Sequence, residues 1–182
     1  MKWFIASDIH GSEYYCKKLM KQFKEEKADR ILFLGDILYH GPRNDLPKEY
    51  NPKNVITLLN KYSDKIISVR GNCDTEVDQM MLDFPVLQEY TIITDEDIII
   101  FATHGHIYNE NNPPGFVKNN IFLYGHTHIP CCTNQNHITY INPGSVSMPK
   151  ENSHNGYITY ESGEFKWKDL DGNIMNYLSI KE

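Results

Sequence analysis

The sequence predicts an α/β protein in which two stacked β-sheets carry helices on the outside. Three observations predict it. The first 73 residues alternate strand-like and helix-like segments, and their strands are short, β-branched and continuously apolar, as in a parallel sheet buried on both faces. After Pro85, candidate strands follow one another with few helical patterns between them, which suggests a second, more mixed sheet. No repeat, low-complexity tract or linker separates the halves, so residues 1–182 read as a single domain, long enough to bury a good core without staples.

In chain order, "KWFIAS" (2–7) is the first strand and stops at Asp8. Ser12 is the N-cap expected of the first helix, and Tyr15, Leu19, Met20 and Phe23 fall on one face of it. "RILFLG" (30–35) is the second strand. Pro52 suits the first position of a second helix striped by Val55, Ile56, Leu58, Leu59 and Tyr62. "KIISVR" (65–70) is the third strand. Further strands are expected at about 88–93, 97–103, 121–124, 137–141, 155–160 and 164–170. Loops 39–52 and 107–116 are long, and loops of that length are often functional.

Composition excludes several classes. A formal charge of −6 argues against an extended nucleic-acid groove, which needs clustered Lys and Arg, but leaves room for a small anionic substrate. Cys16, Cys73, Cys131 and Cys132 form no CxxC pair and no secreted-type disulfide framework, so reduced thiols in a cytoplasmic protein are expected. The apolar stretch in "MKWFIASDIHG" is too short for a signal peptide, and nothing approaches membrane-spanning length.

The chemistry lies at the strand ends. The first strand is followed by "DIHG" (Asp8, His10), the second by "GD" (Asp36) and the third by "GNCD" (Asn72, Cys73, Asp74). Later strands lead into "THGH" (His104, His106) and "GHTH" (His126, His128). In open α/β sheets, ligands bind outside the carboxyl ends of the strands. Any one of these motifs alone is an ordinary turn, but independent turn chemistry gives no reason for five in a row. Asp8, His10, Asp36, Asn72, His104, His126 and His128 together make a sensible ligand set for two metal ions. Mixed nitrogen and oxygen donors suit manganese, iron, zinc or nickel better than magnesium or calcium.

The series "DIHG … GD … GNCD … HGH … GHTH" resembles the calcineurin-like metallophosphoesterases, which use D-x-H, G-D, G-N-H-[DE], H and G-H-x-H in that order. The likeness runs from residue 4 to about 150. It implies a four-layer αββα sandwich of two mixed sheets flanked by helices, and hydrolysis of small phosphodiesters at two divalent ions, manganese first. By position, Asp8, His10 and His128 would hold one ion and Asn72, His104 and His126 the other. Asp36 would bridge, with a metal-bridging hydroxide as nucleophile. The resemblance also leaves room for a homo-oligomer, a dimer or a tetramer.

One position departs from the family pattern. Cys73 stands where many members carry a phosphate-contacting histidine, so leaving groups that need little protonation should be favoured. Asp74 and His106 are then candidates for proton assistance, and Cys73 reads as a wall residue rather than a nucleophile. His40 and Arg43 are candidates for the substrate side; "NPGS" (142–145) reads as a tight turn without assigned chemistry. Alternatives are a non-catalytic metal-binding scaffold of the same fold and a phosphatase acting on phosphomonoesters. A nuclease lacks its basic groove, and the HxHxDH run of metallo-β-lactamase-type hydrolases is absent.

Overall fold

The computed structural model describes residues 1–117 and 120–180. Strands β1 (Trp3–Ala6), β2 (Arg30–Phe33) and β3 (Ile66–Ser68) pair in parallel, joined through helices α1 (Glu13–Glu26) and α2 (Pro52–Leu59). A short α3 (Glu76–Met81) leads to β4 (Tyr90–Asp95), β5 (Ile98–Thr103), β6 (Ile121–Leu123), β7 (Pro130–Gln135) and β8 (Ile138–Pro143). The chain then returns to the first sheet with β9 (Gly156–Glu161), β10 (Glu164–Asp169) and β11 (Ile174–Ser179). One sheet has the order β11-β10-β9-β1-β2-β3 and the other β4-β5-β6-β8-β7. Both are mixed: β9 runs antiparallel to β1, while β5, β6 and β8 are mutually parallel with antiparallel β4 and β7 at the edges.

Alternation along each strand builds the layers. Phe4 and Ala6 of β1 join Leu19, Met20, Phe23, Val55 and Leu59 in a core under α1 and α2. Trp3 and Ile5 point the other way, to Ile100, Leu123, Ile141 and Trp167 between the sheets. The outer face of the second sheet packs Phe101, Phe122 and Tyr140 against Val117 of a single 3₁₀ turn and Tyr108. That fourth layer is thin, a turn and a loop among the described residues rather than long helices.

Most local expectations hold. Ser12 caps α1 by accepting from the Tyr15 N–H, and Pro52 opens α2. The second helix ends earlier than its stripe suggests, giving way to a 3₁₀ segment (Asn60–Lys65) that carries Tyr62. Three elements were not expected: α3, β7 and β11. The apolar residues of α3, Val77, Met80 and Met81, face solvent, so no stripe marks it; its signal is the Thr75–Asp78 capping box. Strands β7 and β11 are sheet edges and largely exposed; β7 turns polar after its first three residues, and Ile174, Met175 and Tyr177 of β11 face solvent.

The consequence for function is directional. β1, β2, β3, β5 and β6 are parallel within their sheets, and each is followed within a few residues by one of the histidine- or carboxylate-bearing motifs.

Candidate metal centre

The seven expected donors converge. Asp8 Oδ1 lies 3.5 Å from His10 Nε2 and 3.2 Å from His128 Nε2, and those two imidazole nitrogens are 3.3 Å apart. On the other side, His104 Nε2 is 3.1 Å from Asn72 Oδ1 and 3.2 Å from His126 Nδ1. Asp36 Oδ2 stands between the sets, 3.6 Å from His10 Nε2 and 3.5 Å from His104 Nε2. The other Asp36 oxygen, Oδ1, accepts the Cys73 backbone N–H at 2.8 Å.

Each ring is turned by its other nitrogen. The Nδ1–H groups of His10, His104 and His128 donate to the carbonyls of Tyr39, Leu34 and Met148 at 2.7, 2.6 and 2.7 Å. That bond orients the ring and keeps the Nδ1 proton in place, so that Nε2 is the nitrogen offered to a metal once it is deprotonated, as metal-binding histidines require. His126 differs by presenting Nδ1 to the cluster. Its opposite use of the ring explains how residues 126 and 128, two apart on one loop, face different donor sets.

The residues fit metal ions. Asp8 Oδ1 is buried and accepts no hydrogen bond from any described residue, despite two imidazole nitrogens within 3.5 Å. Lone pairs pointed at one another repel unless a cation or proton lies between them. Asp8, His10 and His128 form one group able to hold an ion, and Asp36, His104 and His126 another; His10, Asp36 and Cys73 also come within range of one another.

Electrostatics among the donors follow from that crowding. Burial pushes Asp8 up, but the neighbouring His10, His128 and His104 imidazoles hold its carboxyl well below the usual range. Burial disfavours charge on His104, yet Asp36 overcomes this and pushes it up to about 9. His106 goes the other way, to about 4, through burial and then the neighbouring His104 and His126. Burial and the Asp36 and Asp74 carboxylates push the Cys73 thiol up, so it is neutral at pH 7, and its sulfur accepts from Asn72 Nδ2 at 3.2 Å.

The backbone here is unusual. Asp8, His10, Asp36, His126 and His128 all have left-handed φ, between 49° and 65°. Non-glycine residues rarely adopt that region, and such strain persists only where surroundings enforce it. Asp74 does much of the enforcing. Its Oδ2 accepts the N–H groups of Asp36 and Gly71 at 2.8 and 2.7 Å, and its Oδ1 accepts that of Ile37 at 2.9 Å. A candidate for proton assistance by sequence, this carboxylate points into the backbone of two ligand loops.

The "NPGS" turn was given no chemistry, yet it supports the site. The hydroxyls of Ser145 and Ser147 both donate to the Asp8 carbonyl, at 2.9 and 3.1 Å. Asn142 Nδ2 donates to the Gly125 carbonyl and to Thr127 Oγ1, on the loop that carries His126 and His128. A polar run at the end of a buried strand was the available signal. Of the two loop candidates, Arg43 lines the cavity, whereas His40 packs edge-on against Tyr39 and Tyr50.

A cavity of about 600 Å³ opens over the centre, walled by His10, Asp36, Asn72, Cys73, His126 and His128. Residues 1–164 match the calcineurin-like phosphoesterase superfamily domain. The chain belongs to that superfamily. Among relatives in this superfamily, it is 45% identical over 150 residues to phosphodiesterase YfcE of Escherichia coli K12, covering 82% of each sequence. It is 26% identical over 153 residues to phosphodiesterase MJ0936 of Methanocaldococcus jannaschii, covering 79% of this chain and 83% of that one. The solved structure of Yfce, a phosphoesterase from E. coli, superposes with a TM-score of 0.95 at 40% identity over the whole of both chains. Membership in the superfamily implies divalent metal ions. Among the described residues, no helix is long and apolar enough to cross a membrane.

Proposed function

We propose that the protein is a phosphodiesterase that cleaves small phosphodiesters at a pair of divalent cations. The observation that carries this reading is Asp36 Oδ2, within 3.6 Å of a histidine nitrogen from each donor set. We assign Asp8, His10 and His128 to one cation and Asn72, His104 and His126 to the other, with Asp36 shared. Oδ1 accepts the Cys73 N–H, and Oδ2 is the oxygen that faces a histidine of each set and would be shared. Manganese is the first choice, with iron, zinc or nickel compatible with the same donors. When bound, such a pair would supply a shared water acidified toward a pKa of about 7, present in part as hydroxide, and neutralise charge developing at phosphorus.

The protein's own groups set the rest. Three backbone carbonyls hold three imidazoles in place, so the site needs little reorganisation on loading. Asp74 acts as a positioning residue for the Asp36 and Gly71 loops. His106, neutral at pH 7, is no proton donor there, and Cys73 is a weak one. Protonation of the leaving group therefore falls to solvent, and diesters of acidic alcohols are the best substrates. The names of the two curated relatives support the diester class. The four free thiols suit a reducing cytoplasm.

The test is hydrolysis of bis(p-nitrophenyl) phosphate with and without added manganese, alongside p-nitrophenyl phosphate. Asp36→Asn should cut diester turnover by more than about 100-fold, beyond the usual cost of losing an outer-shell partner of a metal ligand. Near-full activity in that variant would remove the shared role of Asp36. A preference for the monoester would favour a phosphatase. A protein that takes up no manganese and stays inactive with it would favour the scaffold.

A further inference from the structure

The main cavity extends past the metal centre to a wall that the reading above does not use. Pro42, Arg43 and Asn44 of the 39–52 loop line it together with Thr127 and Lys150. The chain has 24 acidic and 18 basic side chains, yet among the described residues neither Arg43 nor Lys150 makes an ion pair. The loop bearing Arg43 is tied to the site. The Tyr39 carbonyl accepts from His10 Nδ1 at 2.7 Å, and a Cβ on Gly41 would sit only 3.2 Å from Cys73 Sγ.

A second cavity, of about 470 Å³, shares His126 and Thr127 with the first but has the opposite character. Its walls include Tyr124, Ile129, Cys131 and Glu110 and no Lys or Arg. Tyr124 donates its hydroxyl to the Glu110 carboxylate. The two cavities therefore flank one centre, one with free cations and one without. A phosphodiester has two ester arms extending from phosphorus.

We infer that Arg43 and Lys150 form an anion subsite beside the metal centre, selecting phosphodiesters in which one alcohol carries a second negative group, a phosphate or a carboxylate. This rests on the phosphodiesterase reading. The other, uncharged arm takes the second cavity, where Glu110 disfavours an anion. Guanidinium and ammonium groups both pair with carboxylate and phosphate, the former in a two-pronged fashion. Each exposed pair contributes up to about fivefold in affinity, so the two together give a preference of about tenfold.

The experiment compares 3-phosphonopropionate with propylphosphonate, binding to the manganese-loaded protein by calorimetry. Both place a phosphonate at the centre, and one adds a carboxylate. The native protein should bind the carboxylate-bearing probe about tenfold more tightly, and added salt should narrow the gap by screening. Arg43→Ala with Lys150→Ala should bring the two affinities together, whereas Arg43→Lys with Lys150→Arg should keep a preference. Equal affinities in the native protein would overturn the subsite. So would an equal loss for both probes in the alanine variant, since the cations would then serve the reacting phosphate. If the native protein discriminates between the probes but cleaves no aryl diester, the subsite stands and the phosphodiesterase reading falls.

Discussion

Asp74→Ala separates a positioning residue from an acid. The substitution strands the backbone N–H groups of Asp36, Ile37 and Gly71, all now bonded to one carboxylate that is 2% exposed. Each buried donor left without a partner costs about 1–3 kcal/mol, or roughly 6 kcal/mol for three. Part of this is offset. Burial and the Asp36 charge push Asp74 up to about 6 from 3.8, so removing the charge at pH 7 returns about 3 kcal/mol. The net loss is about 3 kcal/mol, which for a chain of this size lowers Tm by roughly 6–12 °C. The metal-free protein is the right sample for differential scanning calorimetry, because bound metal would mask the loss. Manganese affinity should fall as well, by about 10–100-fold, since the Asp36 backbone is no longer held. Asp74→Asn should recover most of both, because one oxygen can still accept from Asp36 and Gly71. An alanine variant with native Tm and native metal affinity, impaired only on substrates with poor leaving groups, would refute the positioning role.

Gly71→Ala places a Cβ 2.1 Å from Asp36 Oδ1 and 2.4 Å from its backbone nitrogen, neither free to retreat. It should cost about 3 kcal/mol in urea unfolding and lower manganese uptake by elemental analysis, and an unchanged midpoint would count against the tight approach. Manganese binding should release a proton, because His104 is protonated until about pH 9 while coordination needs its bare nitrogen. Apparent affinity should therefore rise with pH toward 9, by about tenfold per unit for one proton. Calorimetry in two buffers of different ionisation enthalpy counts the protons, and zero at pH 7 would contradict the assignment. Cys73→His puts an imidazole into the main cavity beside Asn72 and should shift the ratio of diester to monoester turnover. An unchanged ratio would show position 73 to be passive.

The parallel core was legible because β1 is buried throughout, β2 is buried after Arg30, and β3 adds a short apolar run beside them. The edges were not. β7 opens with Pro130 and exposes its last three residues, and β11 is exposed along most of its length. The donors were legible as types at strand ends, because carboxylates and imidazoles there have few structural reasons to recur. Their orientation was not, since it is decided by partners far away in sequence. Asp74 showed this most clearly: its neighbour in the chain is the cavity-lining Cys73, but its hydrogen bonds lie with residues 36, 37 and 71. The supporting role of Ser145 was hidden for the same reason, because Asp8 is 137 positions away.

The left-handed turns at five of the donors carry a consequence for how such a fold could drift. An L side chain costs about 1–2 kcal/mol per residue in that region, whereas glycine enters it freely. Exchanging imidazoles and carboxylates there for glycine would relax the chain while emptying its chemistry. Selection for sturdiness and selection for turnover thus pull these positions in opposite directions, and a lineage freed from the second could lose its donors without losing its shape.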